Sequence, residues 1–153
     1  MSLQSSRPAR LRVSVVALFI TAEQRVLVLH QMTPPEPDRW DLPGGGLEPH
    51  EAVLAGLRRE VAEETGIEDF EVVGLLAIAE GFYERPQELL HTLNLIYQGR
   101  VEPLPATLVS RDPQEVGPRG LQWLPARELR PDNCTSRCWQ ALVAAGLREA
   151  GSP

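Results

Sequence analysis

The clearest pattern in the chain is a series of short apolar runs, rich in valine, isoleucine and leucine, separated by polar segments that contain proline or glycine. Runs of this length and composition are typical of buried β-strands. We therefore expect strands at residues 12–20, 25–31, 40–46, 70–83, 89–101 and 121–125. The strand at 40–46 should be short and interrupted, because it contains a proline and three glycines.

Two other segments have the spacing of apolar residues that is typical of amphipathic helices. The first covers residues 51–65 and is followed by Gly66, at the position where a left-handed residue commonly ends a helix. The second covers residues 135–150, close to the end of the chain. Strands on both sides of the first helix, and a helix after the last strand, predict an α/β fold in which a mixed β-sheet is sandwiched between helices (α/β/α).

The length of the chain indicates one domain. With 153 residues it can bury a core without disulfides or structural metals. We expect a flexible N-terminal tail at residues 1–10 and a single domain at residues 11–150. The longest loop covers residues 102–120, and loops of this length in compact domains are commonly functional or mobile.

The charge and the apolar content exclude two classes of partner. The net charge is −6, from 15 basic and 21 acidic residues, so we expect no nucleic acid polymer as a partner. An anionic substrate would need a cation to approach this chain. The longest apolar run, residues 13–20, is too short to span a bilayer, and the polar N-terminus does not resemble a signal peptide.

The two cysteines, Cys134 and Cys138, lie one helical turn apart, which is a poor geometry for a disulfide. Two thiols without further ligands nearby do not form a zinc site either. We expect both to be free, half-buried residues of a protein in the reducing cytoplasm.

An acidic cluster stands at the end of the first helix, where Glu60, Glu63 and Glu64 fall within five residues. On an ideal helix they share an arc of about 100° that borders the apolar face. A solvated acidic surface is the alternative reading. However, carboxylates next to the buried face are costly, and the helix dipole disfavours anions at this end. Both facts favour Mg²⁺ or Mn²⁺ as counter-charges, since these ions prefer carboxylate oxygens.

Gly56 lies one turn before the acidic cluster on the same arc. Glycine inside a helix costs about 1 kcal/mol relative to alanine. We expect its missing side chain to leave open space above the carboxylates.

The segment from 45 to 67, GGLEPHEAVLAGLRREVAEETGI, resembles the Nudix box, the signature of the Nudix hydrolase family. Each fixed or restricted position of that box is matched, by Gly45, Glu51, Arg59, Glu60, Val61, Glu63, Glu64, Gly66 and Ile67. The strand order and the segment GLQWLPARELRP further along also resemble the family's domain, so the Nudix fold is implied for most of the chain.

The resemblance implies hydrolysis of a nucleoside diphosphate linked to another moiety, with Mg²⁺ or Mn²⁺ as cofactor. It implies metal ligation by Glu60, Glu63 and Glu64 and by the backbone carbonyl of Gly44. Glu51 and Arg59 correspond to the pair that holds the loop, helix and following loop together. A further acidic ligand or base is expected from a downstream loop, with Glu115 as the first candidate and Asp112 or Glu84 as alternatives. The general base is left open between Glu60 and that loop acid.

The resemblance leaves the substrate less defined. A short chain with one compact box most resembles members that act on nucleoside triphosphates, written (d)NTP, or on modified nucleotides. The spacing of Tyr83 after the box is that of diadenosine polyphosphate hydrolases, and NDP-sugars are a further alternative. The absence of a proline before Pro86 argues against ADP-ribose. Candidate substrate contacts are Arg39, Arg85 and His30 for phosphate or ribose, and Phe82 and Tyr83 for the base; each also has an ordinary packing or surface role as alternative.

Two other interpretations are weighed against the hydrolase. A non-catalytic nucleotide-sensing Nudix module would be expected to have a broken box, whereas this one is intact. A nucleic-acid hydrolase would need a basic track beside its cleft, and the chain has no basic run. The resemblance also allows a homodimer, since many members of the family are dimers.

Overall fold

The computed structural model of the chain describes residues 7–151. The described strands are β1 Ala9–Phe19, β2 Arg25–Gln31, β3 Arg39–Asp41, β4 Gly44–Gly46, β5 Glu71–Glu84, β6 Leu89–Arg100 and β7 Leu121–Pro125. The helices are α1 Val53–Thr65 and α2 Ser136–Ala144, with a short 3₁₀ turn at Ala126–Glu128. Residues 1–6 of the expected tail lie outside the described part. Residues 9 and 10 belong to β1, so this strand begins before the expected domain boundary at residue 11.

The strands form two sheets instead of the single mixed sheet that we expected. One has the order β4-β1-β6-β5, with β1 and β6 parallel and the other neighbours antiparallel. The other is antiparallel, in the order β3-β2-β7. The expected strand at 40–46 is divided because Pro43 cannot donate a backbone hydrogen bond. Its carbonyl accepts from the amide of Ala17 (2.9 Å), and the chain passes there from one sheet to the other.

The core has two layers because the central strand β1 is buried on both faces. Val15, Ala17 and Phe19 pack in one cluster with Leu57 and Val61 of α1. The alternate residues, Val16 and Leu18, pack in a second cluster with β2 and α2. This alternation follows from the two-residue period of a strand. The helices therefore cover opposite sides of the sheets, which confirms the α/β/α class.

Helix α1 begins two residues later than expected. The amide of Glu51 donates to the carbonyl of Glu48 (3.1 Å), and these residues form a turn before the helix. At the other end the expected left-handed Gly66 is confirmed, with φ 80° and its amide on the carbonyl of Ala62 (2.9 Å). The end of α1, which carries the acidic cluster, is thus fixed by a glycine C-cap.

Helix α2 is shorter than the predicted 135–150. It ends at Ala144 because Gly146 takes φ 74° and the chain turns there. Leu147 donates to the carbonyl of Leu142 (2.9 Å) and Gly146 to that of Val143 (3.0 Å), the pattern of a Schellman cap. Leu147 then packs on the core from outside the helix.

Both cysteines are free, and both are buried more completely than expected. Neither described helix has the length and apolar character needed to cross a membrane.

Candidate active site

Three carboxylates meet between the end of α1 and the long loop. Oxygen atoms of Glu60, Glu64 and Glu115 all lie within 4.8 Å of one another, and we name these residues the carboxylate cluster. Glu60 and Glu64 are buried, at 8% and 5% exposure, whereas Glu115 reaches the cluster from the exposed loop. Glu60 packs directly over the backbone of Gly45. A Cβ there would stand 2.7 Å from its carboxylate, so this box glycine makes room for the side chain of Glu60.

The carboxylate cluster has the electrostatics of a cation site. Burial raises the pKa of Glu64 well above its usual value, and the charges of Asp41 and Glu60 raise it further. Burial also raises the pKa of Glu115, with Asp112 as the next cause. Three carboxylates so close together are stable in the charged form only with a counter-charge. A donor set made only of oxygens fits a hard divalent cation such as Mg²⁺ or Mn²⁺.

The structure does not bring Glu63 into the carboxylate cluster. Its side chain is 44% exposed and its oxygens lie 3.3 and 3.4 Å from Nη1 of Arg59. Gly44 lines the same cleft as the carboxylate cluster and pairs with Val16 of β1. Its φ is 148° and a Cβ there would stand 2.1 Å from the carbonyl oxygen of Val15, so only glycine is tolerated.

Arg59 connects the start of α1 to its acidic end. Its Nε and Nη2 donate to both carboxylate oxygens of Glu51 (2.6 and 2.8 Å), and its Nη1 donates to Glu60 (3.0 Å). The guanidinium lowers the pKa of Glu51 to about 2. The proximity of Glu51 and Arg59 that the sequence suggested is thus observed as a two-pronged ion pair.

The expectation of open space at Gly56 is wrong. A Cβ at this position would stand 2.5 Å from Cδ2 of Leu47 and 2.8 Å from Oε1 of Glu51. The space is therefore filled by the segment before α1, and Gly56 allows Glu51 to approach the helix closely enough to meet Arg59.

The loop that carries Glu115 is held at both ends. Before it, the amide of Arg111 donates to the carbonyl of Glu63 at the end of α1 (2.7 Å). After it, the amide of Gly117 donates to the carbonyl of His30 (2.7 Å), and the amide of Arg119 donates to Nδ1 of the same residue (3.1 Å). These contacts fix the position of Glu115 although the loop is exposed.

The two alternatives to Glu115 lie elsewhere. Glu84 is 81% exposed and lies 3.8 Å from Arg7, outside the cleft. The carboxylate of Asp112 accepts from the amide of Gln114 (3.3 Å) within the loop. Of these three acids, only Glu115 belongs to the carboxylate cluster.

A cleft of about 300 Å³ is lined by the carboxylate cluster and also by two arginines that the sequence analysis did not find. One is Arg137, whose Nε and Nη2 donate to the two carboxylate oxygens of Asp41 (3.0 and 2.7 Å). Its Nη1 donates to Oδ1 of Asn94 (3.2 Å). The other is Arg12, from β1. We name Arg12 and Arg137 the arginine end.

No signal in the sequence could have found the arginine end. Its two arginines come from β1 and α2, and the residues that hold Arg137 come from β3 and β6. Arg137 is 96 positions from the aspartate that it pairs with and 43 from the asparagine. Each is one polar residue in an otherwise ordinary segment.

Of the expected substrate contacts, only Tyr83 lines the cleft. Its hydroxyl donates to Oε1 of Glu36 (2.7 Å), and burial, with that contact, raises its pKa to about 12. Phe82 points to the opposite face of β5, is 73% exposed and stacks on His91 with ring centroids 4.4 Å apart. Adjacent residues of a strand face opposite sides, so Phe82 and Tyr83 could not both line one cleft.

The other expected contacts are corrected in the same way. Arg39 donates to the carbonyl of Pro131 (2.9 Å) and does not line the cleft. Arg85 donates to Glu88 (3.3 Å), also outside the lining. His30 is buried beneath the loop, with its Nε2 2.7 Å from Asp38.

Comparison with known proteins gives the same picture of the fold. The sequence model of the family described as NUDIX domain matches residues 10–140. A putative 8-oxo-dGTP diphosphatase 2 of Mycobacterium tuberculosis is 47% identical over 55 residues, which are 35% of this chain and 39% of that protein. An RNA pyrophosphohydrolase of Bartonella clarridgeiae is 41% identical over 66 residues, 41% of this chain and 36% of that protein. These matches therefore span less than two fifths of the length of either curated relative.

Among solved structures, a MutT NUDIX hydrolase from Burkholderia pseudomallei superposes with a TM-score of 0.70 at 23% identity. The match covers 87% of this chain and 96% of that one. At this identity the likeness concerns the fold.

Proposed function

This chain belongs to the Nudix family, and from that premise we propose that it is a hydrolase dependent on Mg²⁺ or Mn²⁺. It would cleave a pyrophosphate bond in a nucleoside diphosphate linked to another moiety. The observation that carries this proposal is the carboxylate cluster at the end of the family's box, with oxygens within 4.8 Å of one another.

The carboxylate cluster would hold the cation. Glu63, at the rim, and the carbonyl of Gly44 are proposed as further ligands on the resemblance alone. A bound divalent cation supplies positive charge against the phosphate oxygens and lowers the pKa of a coordinated water. The chain's own residues orient the site: Arg59 holds Glu60 in place and is itself held by Glu51.

Of the two acids left open as general base, Glu115 is the better proposal. Glu60 already accepts a charged hydrogen bond from Arg59 (3.0 Å), which orients its carboxylate towards the other members of the cluster. Glu115 has no such donor among the described residues and reaches the site from an exposed loop. It can therefore take a proton from the attacking water and release it to solvent.

For the substrate, we propose a (d)NTP or a modified nucleotide. The 47% identity over 55 residues to the mycobacterial protein, whose name gives it as an 8-oxo-dGTP diphosphatase, supports this choice. A diadenosine polyphosphate is the second candidate, because Tyr83 lines the cleft. NDP-sugars and a non-catalytic sensor are more distant alternatives.

We also propose a cytoplasmic location, since both cysteines are free and buried. A small molecule is proposed as partner, without nucleic acid polymer or membrane. A homodimer is compatible with the family.

One assay tests the activity. The full chain with Mg²⁺ is given dNTPs, 8-oxo-dGTP, NDP-sugars, ADP-ribose and diadenosine tetraphosphate, and release of pyrophosphate and of phosphate is scored separately. We expect turnover of at least one member, abolished by EDTA and restored by Mg²⁺ or Mn²⁺. Binding of nucleotides without turnover of any of them would favour the sensor.

A further inference from the structure

The arginine end is a preformed cationic site that the proposed metal chemistry does not use. Arg137 is held by three hydrogen bonds, two to Asp41 and one to Asn94. A guanidinium has five N–H groups. Two of those of Arg137 therefore have no protein acceptor within the described residues, while the residue lines the cleft. Asp41 is 3% exposed and also accepts from the amide of Leu42 (2.8 Å) and the hydroxyl of Thr135 (2.7 Å), so the pair is rigid.

Arg12 differs from Arg137 in having no partner. Within residues 7–151, its guanidinium has neither a hydrogen-bond acceptor nor an ion pair, whereas Arg10 on the same strand has an ion pair with Glu88. Its side chain lies across β4, with Nε 3.5 Å from where a Cβ on Gly46 would stand. Surrounding protein lowers its pKa, and the charge of Arg137 lowers it further. Arg12 is thus an arginine of the cleft without a bonded anionic partner among the described residues, whereas Arg137 has Asp41.

The other two carboxylates that line the cleft, Glu36 and Glu80, make no hydrogen bond or ion pair with the arginine end among the described residues. Glu36 accepts from the hydroxyl of Tyr83 (2.7 Å) and the amide of Ser136 (2.8 Å). Glu80 lies 2.7 Å from Nε2 of His91. The cleft therefore contains a carboxylate cluster that needs a cation and an arginine, Arg12, that has no anionic partner among the described residues. A metal–phosphate complex is a ligand that supplies both.

We propose that Arg12 and Arg137 form an oxyanion site that binds a phosphate group of the substrate beside the carboxylate cluster. This inference deepens the proposed function and rests on it. Arg137 is the rigid member of the site, oriented by Asp41. Arg12 is the adaptable member, which gains its counter-charge only when the substrate enters.

The test measures binding without turnover. Imidodiphosphate, which has a P–N–P bridge in place of the P–O–P bridge, is titrated by calorimetry into the full chain at saturating Mg²⁺. Arg12→Gln should weaken its binding about tenfold or more, as expected for loss of a charge-assisted hydrogen bond. Arg12→Lys should weaken the binding less, because lysine keeps the positive charge and loses only the paired N–H donors of the guanidinium.

Arg10→Gln is the matched control. Arg10 lies two residues earlier on the same face of β1 and loses the same charge, but its guanidinium already stands 3.7 Å from Glu88. It should change the affinity for imidodiphosphate less than twofold. Equal losses of affinity in the two variants would mean that only the overall positive charge of the surface attracts imidodiphosphate, and would overturn the proposal. Unchanged binding in Arg12→Gln would overturn it as well.

Titration with Mn²⁺ alone separates the oxyanion site from the metal site. Arg12→Gln should bind Mn²⁺ no more weakly than the unmodified chain, since it removes a positive charge near Glu60. Weaker Mn²⁺ binding would mean that the residue supports the carboxylate cluster, against the proposal.

The two proposals can fail separately. If the chain hydrolyses a member of the panel and Arg12→Gln leaves KM unchanged, the oxyanion site is wrong and the hydrolase stands. If imidodiphosphate binds in a manner that depends on Arg12 but no member of the panel is hydrolysed, the oxyanion site stands and the proposed activity fails.

Discussion

The carboxylate cluster and the arginine end of the cleft are assembled from the chain in opposite ways. The carboxylate cluster takes two of its three members from one helix turn, and the glycines and arginine that orient them lie within residues 44–60. The arginine end takes its two members from β1 and α2, separated by most of the chain, and its supporting residues from β3 and β6.

This difference has a physical consequence. At the carboxylate cluster, local geometry positions Glu60 and Glu64, because a helix fixes residues four apart on one face whatever surrounds them. Only Glu115 depends on contacts made by a distant loop. At the arginine end, only the packing of α2 against the sheets brings the groups together. We therefore expect substitutions at the first end to change activity more than folding, and substitutions at the second end to change both.

The largest effect is expected at Glu64. Glu64→Gln keeps the size of a buried side chain but removes a charge from the carboxylate cluster, so kcat/KM should fall by about 10²–10³-fold. The free energy of unfolding should not decrease, because a buried carboxylate among others is removed. Steady-state kinetics and urea denaturation measure the two quantities. Glu23→Gln, on an exposed turn, is the control.

A folded Glu64→Gln variant with normal turnover would remove the metal assignment. Glu63→Gln sharpens the same comparison, because Glu63 is half exposed and lies beside Arg59 instead of within the carboxylate cluster. Its loss of activity should be clearly smaller than that of Glu64→Gln.

The next effect concerns Arg137. Arg137→Met leaves the buried carboxylate of Asp41 without its ionic partner, and breaking a buried pair in this way costs about 3 kcal/mol of the free energy of unfolding. Urea denaturation measures it. The double variant with Asp41→Asn should recover part of the loss, since no charge then remains buried. A single variant as stable as the parent chain would mean that the pair does not hold α2 in place.

The sequence predicted the elements with local signals and missed those without them. β2 and β7 have their predicted bounds because each is a mainly apolar segment between two turns. The meeting of Glu60 with Glu64, the left-handed Gly66 and the pairing of Glu51 with Arg59 could be expected from spacing and resemblance, whereas Glu63 lies outside the carboxylate cluster. The division into two sheets could not, because it depends on which strand each half of the segment at 40–46 meets.

The same distinction explains the errors at the site. Gly56 was read as space because a helix position does not reveal what packs against it from the preceding turn. Phe82 and Arg39 were candidates by residue type, but the register of β5 and the position of β3 turn them away from the cleft. Arg137 could be identified only from the structure, because the side chain that orients it, Asp41, is far away in the sequence.

A third prediction concerns the backbone beneath Glu60. Gly45→Ala would place a methyl group 2.7 Å from its carboxylate, which must then move. We expect a loss of about tenfold in affinity for Mn²⁺, as for other changes next to a metal ligand. Gly74→Ala is the matched control, since a Cβ there meets no atom within 4 Å. An unchanged affinity in Gly45→Ala would mean that Glu60 is not held by the box glycine.

A smaller effect should appear as a pH dependence of stability. The pKa of Glu51 is lowered from 4.5 to about 2 by Arg59, so the pair stabilises the folded chain fully above pH 4.5. This stabilisation is lost as the pH falls from 4.5 towards 2. Glu51→Gln should therefore lower the free energy of unfolding at pH 7, and the difference from the parent chain should shrink at pH 3. A difference of equal size at both pH values would contradict the ion pair.

The smallest expected effect tests whether the substrate reaches Tyr83 of β5, which lines the cleft. Tyr83→Phe removes the hydroxyl that donates to Glu36, and Glu36 in turn accepts from the first amide of α2. The loss of one neutral donor to a carboxylate should raise KM by a few-fold, within about tenfold, with kcat unchanged. Phe82→Ala removes the larger and more exposed ring, but it should change KM less than twofold because this ring lies outside the cleft. Steady-state kinetics on the best substrate of the panel measures both. If the Phe82 variant has the larger effect, the substrate reaches the opposite face of β5, and the cleft described here holds only part of it.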